Sequence, residues 1–262
     1  MDQRETIKQK LKKIPFFKIG VISLRVLQDK YSIIAKIKLI INFFSDYRQY
    51  RKINKNKNFS LNTEDLYPRI FDKTDDTPID PVYFFQNAWC AKKIFERKPT
   101  HHYDIGSDNR LVSLISQFTE TTMIDIRPLT LSLPGLSFIK GDIINLPFKD
   151  SEIASLSSIC VIEHIGLGRY GDPFDSFGSE KAAKELVRVL AQGGDLYVSV
   201  PVDKDNMTYF NAHRAFTRDY AIALFSPSKL LEERYIYGDK VYEVYDRNKG
   251  FGTGLYHFKK QL

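Results

Sequence analysis

Apolar positions change their spacing near residue 100. Before it they recur at steps of three and four. After it they come in short runs separated by turn residues. The spacing predicts a helix over residues 31–50, where Ile33, Ile37, Ile40, Ile41, Phe44 and Tyr47 form one stripe and Lys36 and Lys38 fall off it. A short basic helix is expected over residues 4–14, with Ile7, Leu11 and Ile14 on one side, and a further apolar stretch over 20–30. Residues 51–62 (RKINKNKNFSLN) read as a linker or exposed loop. The Pro- and Asp-rich run 66–81 (LYPRIFDKTDDTPIDP) excludes a regular element. A helix follows over 82–96, with Asp80 as its N-cap and Pro81 in its first turn. Trp89, in that helix, is expected to pack in the core.

From residue 101 onward strand and turn-or-helix patterns alternate. Strands are expected at HYDIG, at 121–127, 136–142 and 152–162, and at 194–202. The stretches 111–118, 128–135, 143–149 and 180–191 read as helix or loop. The helix over 179–190 is well marked by Ala182, Ala183, Leu186, Val187 and Leu190 and is expected to stop at Gly193-Gly194. A helix at 217–225 and strands at 230–237, 240–245 and 254–259 complete the chain. Near-continuous, β-branched strands alternating with helices predict an α/β fold. The expectation is a Rossmann-like, mostly parallel sheet covered by helices on both faces, with the last strand antiparallel and a helical N-terminal extension. The expected division is an extension over residues 1–65 and a domain over 66–262, of which 66–98 is the lead-in.

Charge sharpens this division. Residues 1–60 carry 15 Lys/Arg against 4 Asp/Glu, and the other 202 residues carry 24 against 28. The basicity therefore belongs to the extension. A basic amphipathic helix can lie on an anionic membrane surface or cover a face of the neighbouring domain, and the second is the expectation. The two cysteines, Cys90 and Cys160, read as reduced core residues and show no zinc spacing. The first apolar run is broken by Pro15 and Lys18, unlike a signal peptide, and no uncharged run approaches the ~20 residues that span a bilayer. These features point to a cytoplasmic protein, peripheral at most to the inner membrane face.

Ligands of open parallel sheets bind at the carboxyl ends of the strands. Here those ends carry acids. Asp104 stands two residues before Gly106 in HYDIGSDNR (102–110), and Ser107 follows the glycine. Asp125 ends the second strand 21 residues later, the separation at which an acid holds a ribose diol. Asp142 ends the third strand beside Ile143, where a carboxylate and an apolar neighbour can hold an adenine. Glu163-His164 ends the fourth. Three acids at successive strand ends suggest an adenosine-containing ligand. No His/Cys/acid spacing supports a metal site.

Residues ~100–260 resemble the class I S-adenosylmethionine-dependent methyltransferases. The resemblance is carried by DIGS (104–107), ID (124–125), GDI (141–143) with LPF (146–148), VIEHI (161–165) and ELVRVLAQGGDLYVSVP (185–201). The span 66–200 is similar to a little-characterised methyltransferase-like family of bacteria and nematodes, most specifically in EHIGLGRYGDPFD (163–175). The resemblance implies S-adenosyl-L-methionine as cofactor, held by Asp104, Gly106, Ser107, Asp125, Ile126, Asp142, Ile143 and Cys160. It implies an O-methyltransferase acting on a sugar or sugar-phosphate in cell-surface polysaccharide biosynthesis, with the N-terminal extension over the acceptor pocket. One departure stands out. Two glycines of the family's acid-x-Gly-x-Gly-x-Gly motif are here Asp108 and Arg110, where a side chain either crowds or hydrogen-bonds the methionine moiety.

For a hydroxyl acceptor, the first candidate base is His164 and the second His213. Arg169, Asp172 and Arg214 are expected on loops that rim the pocket, where they hold a phosphate or carboxylate of the acceptor or brace the loop. Three rival readings are methylation of another small molecule, a catalytically idle fold serving as a binding module in glycan assembly, and an RNA methyltransferase. Nucleic acid is not the expected partner, because the domain is net negative and has no aromatic-basic patch.

Overall fold

A computed structural model describes residues 32–261. The segments expected at 4–14 and 20–30 lie outside them. The chain divides into two units between Pro78 and Ile79. In the first, the described residues form helix α1 (Ile33–Ile53). Its first turn is capped by the Ser32 hydroxyl, which accepts from the Ala35 N–H, and Arg51 and Lys52 sit favourably at its carboxyl end. Residues 54–80 hold only turns, as their prolines and polar residues require. No helix among the described residues is long and apolar enough to cross a membrane.

The second unit opens with α2 (Pro81–Arg97). The Asp80 carboxylate accepts from the Val82 and Tyr83 N–H groups at 2.9 and 3.3 Å, and Pro81 occupies the first turn, where its missing N–H costs nothing. Strand and helix then alternate through β1 (His101–Ile105), α3 (Asn109–Ile115), β2 (Glu120–Asp125), β3 (Leu136–Lys140) and β4 (Ile153–Ile159). A 3-10 turn (Ile162–His164), α4 (Gly178–Val189) and β5 (Leu190–Val202) follow. The last part holds β6 (Met207–Tyr209), β7 (His213–Ala215), α5 (Arg218–Ala223), β8 (Lys229–Tyr237), β9 (Lys240–Tyr242) and β10 (Gly252–Lys259).

Eight strands form one sheet in the order β3-β2-β1-β4-β5-β10-β8-β9. The pairings among β1 to β5 are parallel, and β10 runs antiparallel to both β5 and β8. The strand order reverses between β1 and β4, which opens a crevice at their carboxyl ends. Alternation along the central strands splits the core. Leu156, Leu196 and Val198 face a cluster with Ala182, Ala183 and Leu186 of α4 and Ala221 of α5. Ile159 and Tyr197 face Cys90 and Ile94 of α2 and Leu111 and Ile115 of α3. Helices therefore cover both faces, as the strand pattern predicted.

Four details differ from the sequence expectation. The strand β5 begins at Leu190, not 194. The helix ends at Val189 without help from the glycine pair, and Gly193 (φ +73°) instead sits inside the strand, next to an irregular stretch of the β4–β5 register. The hairpin β6–β7 stands where the sequence predicts loop around Arg214, because three-residue strands are too short to print a period. β1 begins at His101, so the two histidines belong to the strand. His102 is buried with its ring nitrogens 2.8 and 2.9 Å from the Ser155 and Ser157 hydroxyls, and burial lowers its pKa to about 3. The strand expected at 240–245 stops at Tyr242. Trp89 packs edge-on to Tyr197 and donates to Glu232, and both cysteines are free.

Leu156, fully buried at the middle of the sheet, tests the core. Leu156→Ala should lose about 2–5 kcal/mol in urea unfolding, since the rigid parallel strands on either side leave the cavity unfilled.

Candidate functional site

The turn between β1 and α3 is built on Asp104. Its buried carboxylate accepts from the Ser107 N–H (3.0 Å), the Ser107 hydroxyl (2.7 Å) and the Ser157 hydroxyl. The Ser107 hydroxyl in turn accepts from the Ile159 N–H at 2.9 Å, so the turn is stitched to β4. Gly106 between them has φ +71°. A Cβ there would stand 3.0 Å from Val161 Cγ1 and face Asp125, so the glycine supplies both the left-handed backbone and the open space. Asp108 has φ −59° and needs no glycine. It caps α3 by accepting from the Arg110 N–H at 3.0 Å, and the Arg110 guanidinium closes on the same carboxylate at 2.6 Å. The departure from the glycine pattern is thus a helix cap with its own counter-ion.

Two adjoining cavities lie at these strand ends, with volumes of about 370 and 440 Å³. Each is within the range of roughly 300–1,000 Å³ typical of small-molecule sites. They share Gly106, Asp125, Arg127, Cys160 and Tyr170. Asp125, Ile126, Asp142, Ile143, His164 and Asp172 line the first, and Ser107 lines the second. Of the residues expected to touch a cofactor, only Asp104 lines neither; it acts from behind, through the turn. Asp125 is engaged by Arg127, whose backbone N–H donates at 2.7 Å and whose guanidinium reaches both carboxylate oxygens at 3.2 Å while stacking over Tyr170. The Asp142 carboxylate accepts from the Ile144 N–H at 3.1 Å, which holds it at the mouth of β3.

The loop 163–175 walls the first cavity. The Asp172 carboxylate accepts from the backbone N–H groups of Gly166, Gly168 and Tyr170. Arg214, on β7, donates to the Ile165 and Asp175 carbonyls and to the Ser179 hydroxyl. Both of these groups hold the loop. Arg169 donates to the Ala212 carbonyl at 2.9 Å and lies over Tyr170; it lines neither cavity. Gly166 (φ +82°) is required, because a Cβ would meet the Asp175 carbonyl oxygen at 2.1 Å.

His164 faces the first cavity. Its Nδ1 lies 2.7 Å from the Ala212 carbonyl oxygen and must carry the proton, which leaves Nε2 with its lone pair. Burial lowers its pKa to about 4, so the ring is neutral at neutral pH. His213 lies outside the cavity lining, its ring 6.4 Å from that of His164 and flanked by Tyr209 and Phe251 at 5.3 Å each.

Two buried residues to which the sequence reading gave no role stand behind the cavities without lining either. Glu163 is fully buried, and burial pushes its carboxyl up to about 8 against a bond from its own backbone and the nearby Cys160 thiol. Its Oε2 has no hydrogen-bond partner, and its Oε1 is 3.6 Å from His164 Nε2. Gln86, buried on α2, accepts through Oε1 from the Cys160 thiol (3.1 Å) and the Ser199 hydroxyl (3.0 Å), while its Nε2 is unpaired. A glutamine on an otherwise apolar helix face was the one available signal. Among the described residues, no group of side chains could hold a metal ion.

Comparison with known proteins bears on the fold. No curated protein matches this chain. The family described as "Caenorhabditis protein of unknown function, DUF268" matches residues 149–226, from the start of β4 past α5. Among solved structures, the chain is similar to the N-methyltransferase NodS of Bradyrhizobium japonicum WM9 in complex with S-adenosyl-L-homocysteine. The identity is 15%, the TM-score 0.51, and the alignment covers 72% of this chain and 93% of NodS. The ligand-free NodS structure aligns at 15% identity and TM-score 0.52, covering 70% and 98%. A Galdieria sulphuraria protein assigned, not demonstrated, as a sarcosine dimethylglycine methyltransferase aligns at 12% identity and TM-score 0.52, covering 68% and 86%. The second unit thus has the Rossmann-like fold found in S-adenosylmethionine-dependent methyltransferases.

Gly106→Ala should cost about 1–3 kcal/mol in urea unfolding, because the turn imposes φ +71° on whatever residue stands there. Glu163 makes a pH prediction. Its folded-state value lies above the ordinary 4.5, so the destabilisation it causes is absent below that value and grows as pH rises to about 8. Glu163→Gln should therefore gain on the wild type between pH 5 and 9, with the Tm difference widening by ~3 °C or more in thermal melts.

Proposed function

We propose that this chain is an S-adenosyl-L-methionine-dependent O-methyltransferase acting on a hydroxyl of a sugar or sugar-phosphate used in cell-surface polysaccharide assembly. The observation that carries the cofactor part is one cavity onto which a glycine-opened turn and two strand-end carboxylates converge, Gly106, Asp125 and Asp142. In this reading Asp125 accepts from a ribose diol, beside Arg127 over the Tyr170 ring. Asp142 is placed to accept from an adenine amino group, with Ile126 and Ile143 against the ring faces. Ser107 and the space beside Asp108 fall on the methionine side.

The bound cofactor supplies an electrophilic methyl group on a good leaving group, so the protein's task is mainly alignment. His164 Nε2 accepts the hydrogen bond of the acceptor hydroxyl and orients its lone pair. Its low basicity makes it a positioning group first and a proton acceptor second. The acceptor's ring form is supported by the aromatic mouth of the site. Phe174 lines the cavity 6.2 Å from Phe210, and both are exposed, as are Tyr209 and Phe251 around His213. Flat apolar side chains beside a few polar groups suit the faces of a pyranose.

Isothermal titration of the full chain with S-adenosylmethionine and with S-adenosylhomocysteine tests the cofactor. Binding of both is expected, and Asp125→Ala should weaken each by at least ~tenfold, the loss of hydrogen bonds to a charged acceptor. No binding of either would sink the proposal. Transfer of isotope-labelled methyl from S-adenosylmethionine to a panel of sugar phosphates tests the acceptor. Binding with no transfer to any sugar, amine or RNA would favour an idle binding module.

A further inference from the structure

The buried carboxyl of Glu163 has no task in the reading so far. It lines neither cavity, but it touches two residues that do: its Oε1 is 3.6 Å from His164 Nε2, and the Cys160 thiol, which lines both cavities, bonds toward it. Cys160 itself holds φ +53°, a left-handed backbone rare outside glycine, which turns the chain after β4 and brings the thiol and Glu163 together. The neighbours of Glu163 are nearly all neutral. The Cys160 thiol at the end of β4, which burial keeps protonated, bonds toward it, and Gln86 of α2 and Ser199 of β5 are the thiol's other partners. His164, beside it, is uncharged at neutral pH, and so is His213 beyond, whose pKa burial also lowers. Asp172 adds only a negative charge beside His164. Among the described residues, the cation acting on Glu163 is Arg169, and its guanidinium is drawn off to the Ala212 carbonyl and the Tyr170 ring. A carboxylate ionised here would be met only by its own backbone, the Cys160 thiol and this distant charge, and Oε2 has no donor at all.

A sulfonium is the cation that the proposed cofactor would bring into this site, and its demethylated product lacks that charge. We propose that Glu163 reads the sulfonium charge: it ionises and releases its proton to solvent when S-adenosylmethionine binds, and stays protonated with S-adenosylhomocysteine. The consequence is discrimination between substrate and product. Once the methyl has left, the carboxylate loses its counter-charge, regains a proton from solvent, and no longer favours the ligand. This rests on the cofactor reading above but not on any acceptor. Its pH range follows from the carboxyl's starting value of about 8: below it, S-adenosylmethionine must displace a proton to bind, and above it the carboxylate is already formed.

The test is titration calorimetry of the full wild-type chain with both ligands at pH 6.5, 7.5 and 8.5. Each is run in two buffers of different ionisation enthalpy. The sulfonium also lowers the pKa of the ligand's own amino group, so the carboxyl's share is the part of the pH dependence that Glu163→Gln removes. The ratio of S-adenosylmethionine to S-adenosylhomocysteine affinity should rise ~tenfold from pH 6.5 to 8.5. The first ligand should release ~0.5–1 more proton than the second near pH 7. In Glu163→Gln that rise should be lost, leaving only the slope of the ligand's amino group. A ratio that does not change in the wild type, or that rises as steeply in Glu163→Gln, overturns the inference and leaves the cofactor assignment standing. Absence of binding by either ligand overturns both. Should Glu163→Gln not fold, the wild-type proton count decides alone, and equal proton release by the two ligands defeats the inference.

Discussion

A parallel sheet can receive a ligand only where its strand order reverses, and here that place is held open by one buried carboxylate. Asp104 ends β1 with no solvent contact. Three donors satisfy it, two from Ser107 and one from Ser157, yet burial still raises its pKa to about 6. Those bonds bend the chain off β1 within three residues and tie the bend to β4 through the Ile159 N–H. Gly106 takes the left-handed conformation this bend demands, and its missing side chain is the space between Val161 and Asp125. Everything that lines the crevice, from Asp125 on one side to Cys160 on the other, is placed relative to this turn.

The opposite wall depends on a second set of buried polar contacts with longer reach in sequence. Gln86 of α2 bonds the Cys160 thiol and the Ser199 hydroxyl, 74 and 113 residues away. These bonds fix α2 against the ends of β4 and β5. Gln86 Nε2, the adjacent Asn87 Oδ1 and Glu163 Oε2 are nevertheless left without partners. Buried polar groups without partners destabilise a fold, so their concentration beside the crevice marks where stability gives way to a binding task. The loop 163–175 shows the contrary pattern. Asp172 and Arg214 direct their hydrogen bonds to its backbone, so the loop is a braced wall of the first cavity, which Asp172 itself lines.

Substitution of two motif glycines also finds its reason in this geometry. The backbone at Asp108 is not left-handed, so a side chain is tolerated there, and its carboxylate caps α3 while pairing with Arg110. Loss of glycines is therefore no argument against a working crevice. The glycine that the turn does require, Gly106, is present.

How much of this was legible in the residues alone follows from what each signal depends on. The alternation of β-branched runs with a 3.6-residue stripe over 178–189 determined an α/β sheet with covered faces, because those periods express which side of an element is dry. Asp80 and Pro81 determined where α2 begins, since capping is local chemistry. The strand-end acids Asp125 and Asp142 could be placed in one cavity because position along a parallel strand implies position in space. What only the tertiary structure decided is what each polar group has left to offer once its neighbours are known. Asp104, Asp172 and Arg214 turned out to be spent on backbone and hydroxyl partners, while Glu163 and Gln86, unremarkable in the chain, keep unpaired atoms beside the crevice. Burial and pairing arise between residues far apart in sequence, and no local pattern encodes them.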